Sequence, residues 1–105
     1  MARKKLVEDL KSFKKELNKE MPVNRMILFG SGAWGKPHRD SDVDLIIVSS
    51  KFRRKRSLER GLNFYKYWHL NYPVDFLCYT PEEFDKLKKQ ITIVREAVKE
   101  GIEIK

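Results

Sequence analysis

Apolar residues recur along this chain in two rhythms. Leu6, Leu10, Phe13 and Leu17 fall on one helical face within a charged stretch, which predicts an amphipathic helix over residues 4–20, ended by Pro22. Arg25 to Phe29 (RMILF) is a continuous apolar run that stops at Gly30 and predicts a short buried strand. Ser31 to Lys36 is expected to form one short helical turn, broken at Pro37. A second strand is expected from Asp42 to Ser49 (DVDLIIVS). Helical spacing returns after the basic run KFRRKR, residues 51–56. Ser57 is placed to cap a helix through about Leu70, with Leu58, Leu62, Tyr65 and Trp68 or His69 facing inward. Tyr72-Pro73 breaks the pattern, and Val74 to Tyr79 (VDFLCY) predicts a third strand. Thr80-Pro81-Glu82-Glu83 is a strong helix start, with Thr at the cap, Pro in the first position and Glu placed for a capping box. Phe84, Leu87, Ile91, Val94 and Val98 mark the stripe of a helix to about Glu100, Gly101 stops it, and the tail IEIK is expected as a short extra strand.

The predicted order is thus helix, strand, short helical turn, strand, helix, strand, helix. A chain of 105 residues holds one domain with one modest core. The expected fold is therefore α/β (α+β): a small mixed β-sheet flanked by helices, spanning residues 1–105. No run approaches the ~18 apolar residues of a membrane span. The start, MARKKLVEDLKSFKKEL, lacks the apolar segment of a signal peptide. Cys78 stands alone, which leaves no internal disulfide and no cysteine zinc site. Together these features predict a soluble, cytoplasmic protein.

Charge adds a bias toward anionic partners. There are 23 Lys plus Arg against 15 Asp plus Glu, a formal net charge of +8, which favours nucleotides, nucleic acid or an acidic protein surface. The run Arg53 to Arg56 reads equally as a mobile charged loop and as a patch that binds nucleic acid or steers an NTP. The aromatics of Phe64-Tyr65-Lys66-Tyr67-Trp68 exceed what one helical stripe buries. Either Phe64 or Tyr67 points outward into a protein interface, or the buried face is wider than one stripe.

The acidic residues at the strand ends carry the chemistry. Asp42 and Asp44 flank Val43 at the head of the second strand, so they project to one face, with Cα atoms roughly 6.6 Å apart. Like charges at a core boundary cost stability unless something positive joins them. Mg²⁺ suits such a pair, because it takes oxygen ligands and completes its shell with water and substrate phosphate. Asp75 is a further carboxylate in a predicted strand, and it joins the pair if the second and third strands are neighbours. Its alternative is an ion pair with a nearby Arg or Lys. Three carboxylates with two metal ions fit an in-line displacement at phosphorus. Gly30 lets the backbone approach a ligand, and Ser31 with the following turn offers a hydroxyl and free N–H groups as a phosphate cradle.

Gly30-Ser31, then Gly35, then Ser41-Asp42-Val43-Asp44-Leu45, then Asp75 resembles the nucleotidyltransferase superfamily of DNA polymerase beta, and within it the minimal nucleotidyltransferase (MNT) proteins of prokaryotes. The similarity covers most of the chain. It implies the small mixed sheet already expected, with Gly30, Ser31, Lys36 and Ser41 binding the nucleotide. Asp42, Asp44 and Asp75 become the metal-binding and catalytic carboxylates of a two-metal Mg²⁺ site. The implied reaction moves a nucleoside monophosphate, AMP from ATP in the expected case, to a hydroxyl and releases pyrophosphate. The resemblance also implies a partner, because several MNT proteins are antitoxins to a separate helical HEPN protein. One departure stands out: the turn pattern GSRARG of those proteins is replaced here by GSGAWG, with Gly32 and Trp34 in place of arginines. Lys36 or Arg39 is left to supply the phosphate charge, and neither is in register.

Three functions compete on these observations. A Mg²⁺-dependent nucleotidyltransferase acting on a partner protein accounts for the turn and the aspartates, with acceptor choice left to the partner or to a homo-oligomer. A catalytically weak antitoxin that neutralises its HEPN partner by contact accounts for the altered turn and the surplus aromatics. A nucleic-acid-binding protein accounts for the charge and KFRRKR, but not for three placed aspartates.

Overall fold

The computed structural model, which describes residues 3–30, 43–56, 59–70 and 73–105, contains a four-stranded mixed sheet. Its strands are β1 (Arg25–Phe29), β2 (Val43–Val48), β3 (Val74–Tyr79) and β4 (Ile102–Glu103), in the order β3-β2-β1-β4. β2 runs antiparallel to β1 and parallel to β3, and β4 pairs antiparallel with β1. Helix α1 (Arg3–Asn18) precedes the sheet, and α2 (Pro81–Leu87) and α3 (Ile93–Glu100) follow β3. β1 and β3 have the limits read from the sequence, and IEIK supplies β4.

Side-chain alternation sends the central strands into two separate cores. On one face Met26, Leu28, Leu45 and Ile47 meet Leu6, Leu10, Phe13 and Leu17 of α1. On the other, Ile27, Phe29, Ile46 and Val48 meet Phe84 of α2 and Val94 and Ala97 of α3. A strand covered on both faces reads as an unbroken apolar run, which is why RMILF and LIIV show no polar alternation. Among the described residues no helix is long and apolar enough to cross a membrane.

The expected helix from Ser57 to Leu70 is corrected. Ser57 and Leu58 lie outside the described residues, and Leu62–Tyr67 forms a 3₁₀ helix. Its three-residue turn changes which side chains face inward. Gly61, Phe64 and Tyr67 take the inner side: Phe64 is buried and Tyr67 packs on the core. Leu62 and Tyr65, expected inside, are 65% and 51% exposed. The aromatic surplus is largely absorbed by a cluster around Phe76, stacked on Phe13 at 5.7 Å and met edge-on by Phe64, Tyr65 and Trp68.

The single helix expected to reach Glu100 is also corrected, because it is two helices. Thr80 and Glu83 form the anticipated capping box at the start of α2. The Thr92 hydroxyl then donates to the Leu87 carbonyl (2.7 Å) and accepts from the Arg95 N–H (3.3 Å), so one side chain closes α2 and caps α3. The break leaves Ile91 at 93% and Val98 at 41% exposure, although both match the helical spacing.

The end of α3 is tightly fitted. The Gly101 N–H donates to the Ala97 carbonyl at 2.8 Å. A Cβ at Gly101 would stand 2.5 Å from the Ala97 oxygen and 2.7 Å from the Leu28 oxygen. Beyond it, the Ile104 N–H donates to the Met26 carbonyl at 2.8 Å, and the Ile104 side chain is fully buried.

Candidate functional site

Register places the two described site carboxylates side by side. β2 pairs with β3 so that Asp44 is opposite Asp75, on strands roughly 4.8 Å apart. Asp44 alternates with Ile46 and Val48, and Asp75 with Leu77 and Tyr79, so both project on the face covered by α2 and α3. Buried Val43 and Val74 hold the strand ends from the other side of the sheet. Asp44 is half-buried and Asp75 exposed. Asp75 makes no ion pair or hydrogen bond among the described residues, so its alternative reading as a structural ion pair finds no partner there.

Gly30 closes the third side. It has φ +80°, and a Cβ there would lie 2.5 Å from Asp44 Oδ2. Only glycine supplies both the left-handed conformation and the space over the carboxylate. The sequence assigns Gly30 to a ligand's phosphate, whereas the group that approaches it within the chain is Asp44. Ser31, Lys36, Ser41 and Asp42 lie outside the described residues, as does the expected turn from Ser31 to Lys36. Among the described residues no three carboxylate, imidazole or thiol groups gather to hold a metal. Asp44 and Asp75 supply two members of the expected set, and their hard oxygens on one face fit Mg²⁺ chemistry.

Sequence reasoning missed Arg60. Its side chain is 8% exposed and bonds Glu83 Oε1 at 2.6 Å and Oε2 at 3.3 Å, the Cys78 carbonyl at 3.2 Å and the Lys55 carbonyl at 3.1 Å. The Arg60 guanidinium holds the Glu83 carboxyl below the usual carboxylate range. Glu83 was legible as a capping residue, but nothing distinguishes Arg60 from the surrounding basic residues. The basic run itself is folded: Ser50–Arg54 is a 3₁₀ turn capped by Ser49, Phe52 is fully buried, and Arg53 pairs with Glu82 of α2.

Beside Arg60 lies a cavity of about 560 Å³ between residues 76–79 of β3 and the α2 side of the molecule, where Glu83, Lys86, Leu87 and Gln90 line it. Cys78 borders it, and burial pushes its thiol up to about 12, a shift that nearby Arg60 only partly offsets. Thiolate is the reactive form. Relative to an ordinary thiol at 9.0, iodoacetamide at pH 8 is expected to alkylate Cys78 roughly a thousandfold more slowly in the native protein than in urea. Equal rates, followed by mass spectrometry, would show that the thiol is not shielded.

Comparison with known families gives one description: residues 10–99 match the family profile "Nucleotidyltransferase domain". Comparison with curated proteins gives no match. Among solved structures, the chain is similar to one described as a putative nucleotidyltransferase from Sulfolobus solfataricus, with a TM-score of 0.66 and 19% identity over 96% of this chain and 80% of that one. At that identity the likeness is one of fold.

Proposed function

Because the chain belongs to the nucleotidyltransferase domain family, we propose that it transfers AMP from ATP to a hydroxyl on a partner protein, as the antitoxin of a pair with a helical HEPN-type protein. The observation that carries the transfer is the Asp44–Asp75 pair, in register on neighbouring strands, with Asp44 packed against Gly30.

In this reading Asp44 and Asp75, with Asp42 from the same sequence motif, would hold Mg²⁺. Bound there, Mg²⁺ would neutralise the triphosphate and stabilise the attacking and leaving oxygens of an in-line displacement. The acceptor oxygen bonds to the α-phosphorus, and the bond from that phosphorus to the bridging oxygen breaks. The electron pair leaves with pyrophosphate, and Asp75, the exposed carboxylate, takes the acceptor proton. Gly30, with no Cβ, lets the Asp44 carboxylate lie against the end of β1, and β2 and β3 fix the two carboxylates on rigid backbone.

Calorimetry tests the nucleotide site. ATP is expected to bind only with Mg²⁺ present, and Asp44→Asn is expected to remove that binding. Equal heats with and without Mg²⁺, or in wild type and variant, would sink the reading.

A further inference from the structure

We infer that the cavity between β3 and α2 seats the acceptor, and that the acceptor presents its hydroxyl on an acidic peptide; this rests on the transfer proposed above. The strand order supplies the direction. Gly30 ends β1, Asp44 is on β2 and Asp75 is on β3, so the three stand in a row across the sheet. In-line displacement puts the leaving pyrophosphate and the attacking hydroxyl at opposite ends of the reacting phosphorus. With the triphosphate assigned in that reading to the Gly30 end of the row, the acceptor arrives from the β3 side. The cavity borders the chain immediately after Asp75, beginning at Phe76. Leu77, which lines it, shares the face of Asp75 and follows it at roughly 6.6 Å along the strand.

The lining sets the chemistry. A volume of about 560 Å³ is that of a small-ligand or side-chain pocket. Phe76, Leu77 and Leu87 give an apolar wall. The Arg60 guanidinium already neutralises Glu83, whereas the Lys86 ammonium makes no ion pair or hydrogen bond among the described residues. The uncompensated charge is therefore that of one ammonium group. A single Lys with no clustered phosphate-binding groups suits a carboxylate better than a polyphosphate. Tyr79 and Gln90 line the same space, and neither side chain makes a hydrogen bond among the described residues, which leaves both to bond peptide groups. The formal charge of +8 favours acidic partners at longer range.

The test is binding of a labelled peptide of glutamate, leucine and serine, with a peptide of lysine, leucine and serine as control. Fluorescence anisotropy gives affinity, and the methyl resonances of Leu77 and Leu87 give location. The acidic peptide is expected to bind and to shift those methyls, and the basic one to do neither. Lys86→Glu should weaken binding at least about tenfold, whereas Lys99→Glu, an equal charge change on exposed α3, should leave it nearly unchanged. Gln90→Trp, an exposed position at the cavity wall, should block binding by filling the apolar space. Equal weakening by Lys86→Glu and Lys99→Glu would reveal general attraction and overturn the inference. So would binding of the basic peptide, shifts confined to other methyls, or no binding of the acidic peptide. ATP calorimetry on the same samples reports separately on the transfer: absent ATP binding counts against that reading, while the peptide data still decide the cavity.

Discussion

Asp75→Asn is expected to lower nucleotidyl transfer by about a thousandfold, with little change in stability. The argument rests on where Asp75 sits. It is exposed, and its side chain makes no ion pair or hydrogen bond among the described residues, so losing its charge removes no side-chain contact seen there. Exposed substitutions away from caps and networks usually change stability by less than about 0.5 kcal/mol. Any large loss of rate would therefore be chemical. Losing the proton acceptor for the attacking hydroxyl removes an interaction made in the transition state, which lowers kcat and kcat/KM together. Measured as label transferred from α-labelled ATP to protein acceptors, activity should collapse while the melting temperature stays put. Full activity in the variant would remove Asp75 from the reaction. A joint loss of melting temperature and activity would make its role structural.

Gly101→Ala is expected to destabilise the fold by about 3 kcal/mol, lowering the melting temperature by roughly 15 °C. Two effects oppose each other. Gly101 has φ −79°, which alanine adopts freely, and the replacement would reduce unfolded-state entropy to a gain of about 0.4–1 kcal/mol. Against this, the new Cβ would stand 2.5 Å from the Ala97 oxygen, 2.7 Å from the Leu28 oxygen and 2.9 Å from an Ile27 methyl carbon. Two of these neighbours are backbone, fixed by α3 and β1, so relief requires prising the helix end from the strand. Collision wins on magnitude. A circular-dichroism melt unchanged within about 2 °C would show that the α3–β4 corner yields instead.

Much of the molecule was legible because its physics is local. β1 and the LIIV segment of β2 declared themselves as unbroken apolar runs because both their faces are covered. Thr80-Pro81-Glu82-Glu83 encodes its own helix start within four residues. Asp44 and Asp75 were legible as charges where a core strand should begin. What failed depends on contacts across the chain. Gly61 and Phe64 follow a 3₁₀ rhythm because they pack on β3: a Cβ at Gly61 would lie 3.3 Å from Phe76 Cβ. Ile91 and Val94 sit on one helical stripe in the sequence, but the Thr92 hydroxyl separates them and only Val94 is buried. Arg60 gains its role only when Glu83 and Cys78 arrive beside it. At the site, adjacency of Asp44 and Asp75 follows from the parallel pairing of β2 and β3, which no sequence spacing specifies.

The outer margin of β3 has a consequence for how the protein fails. Strand edges template pairing with other chains unless they are covered. Among the described residues β3 is such an edge, and two of its outward carbonyls are engaged from within, Val74 by the Tyr65 hydroxyl and Cys78 by Arg60. Tyr65 belongs to the short 3₁₀ helix and Arg60 to the turn just before it, outside the sheet they cover. Warming releases such a segment before the sheet itself opens. The species that first loses solubility is then nearly native, with one strand uncovered. Precipitation should set in below the temperature at which the sheet melts and become worse as the protein is concentrated.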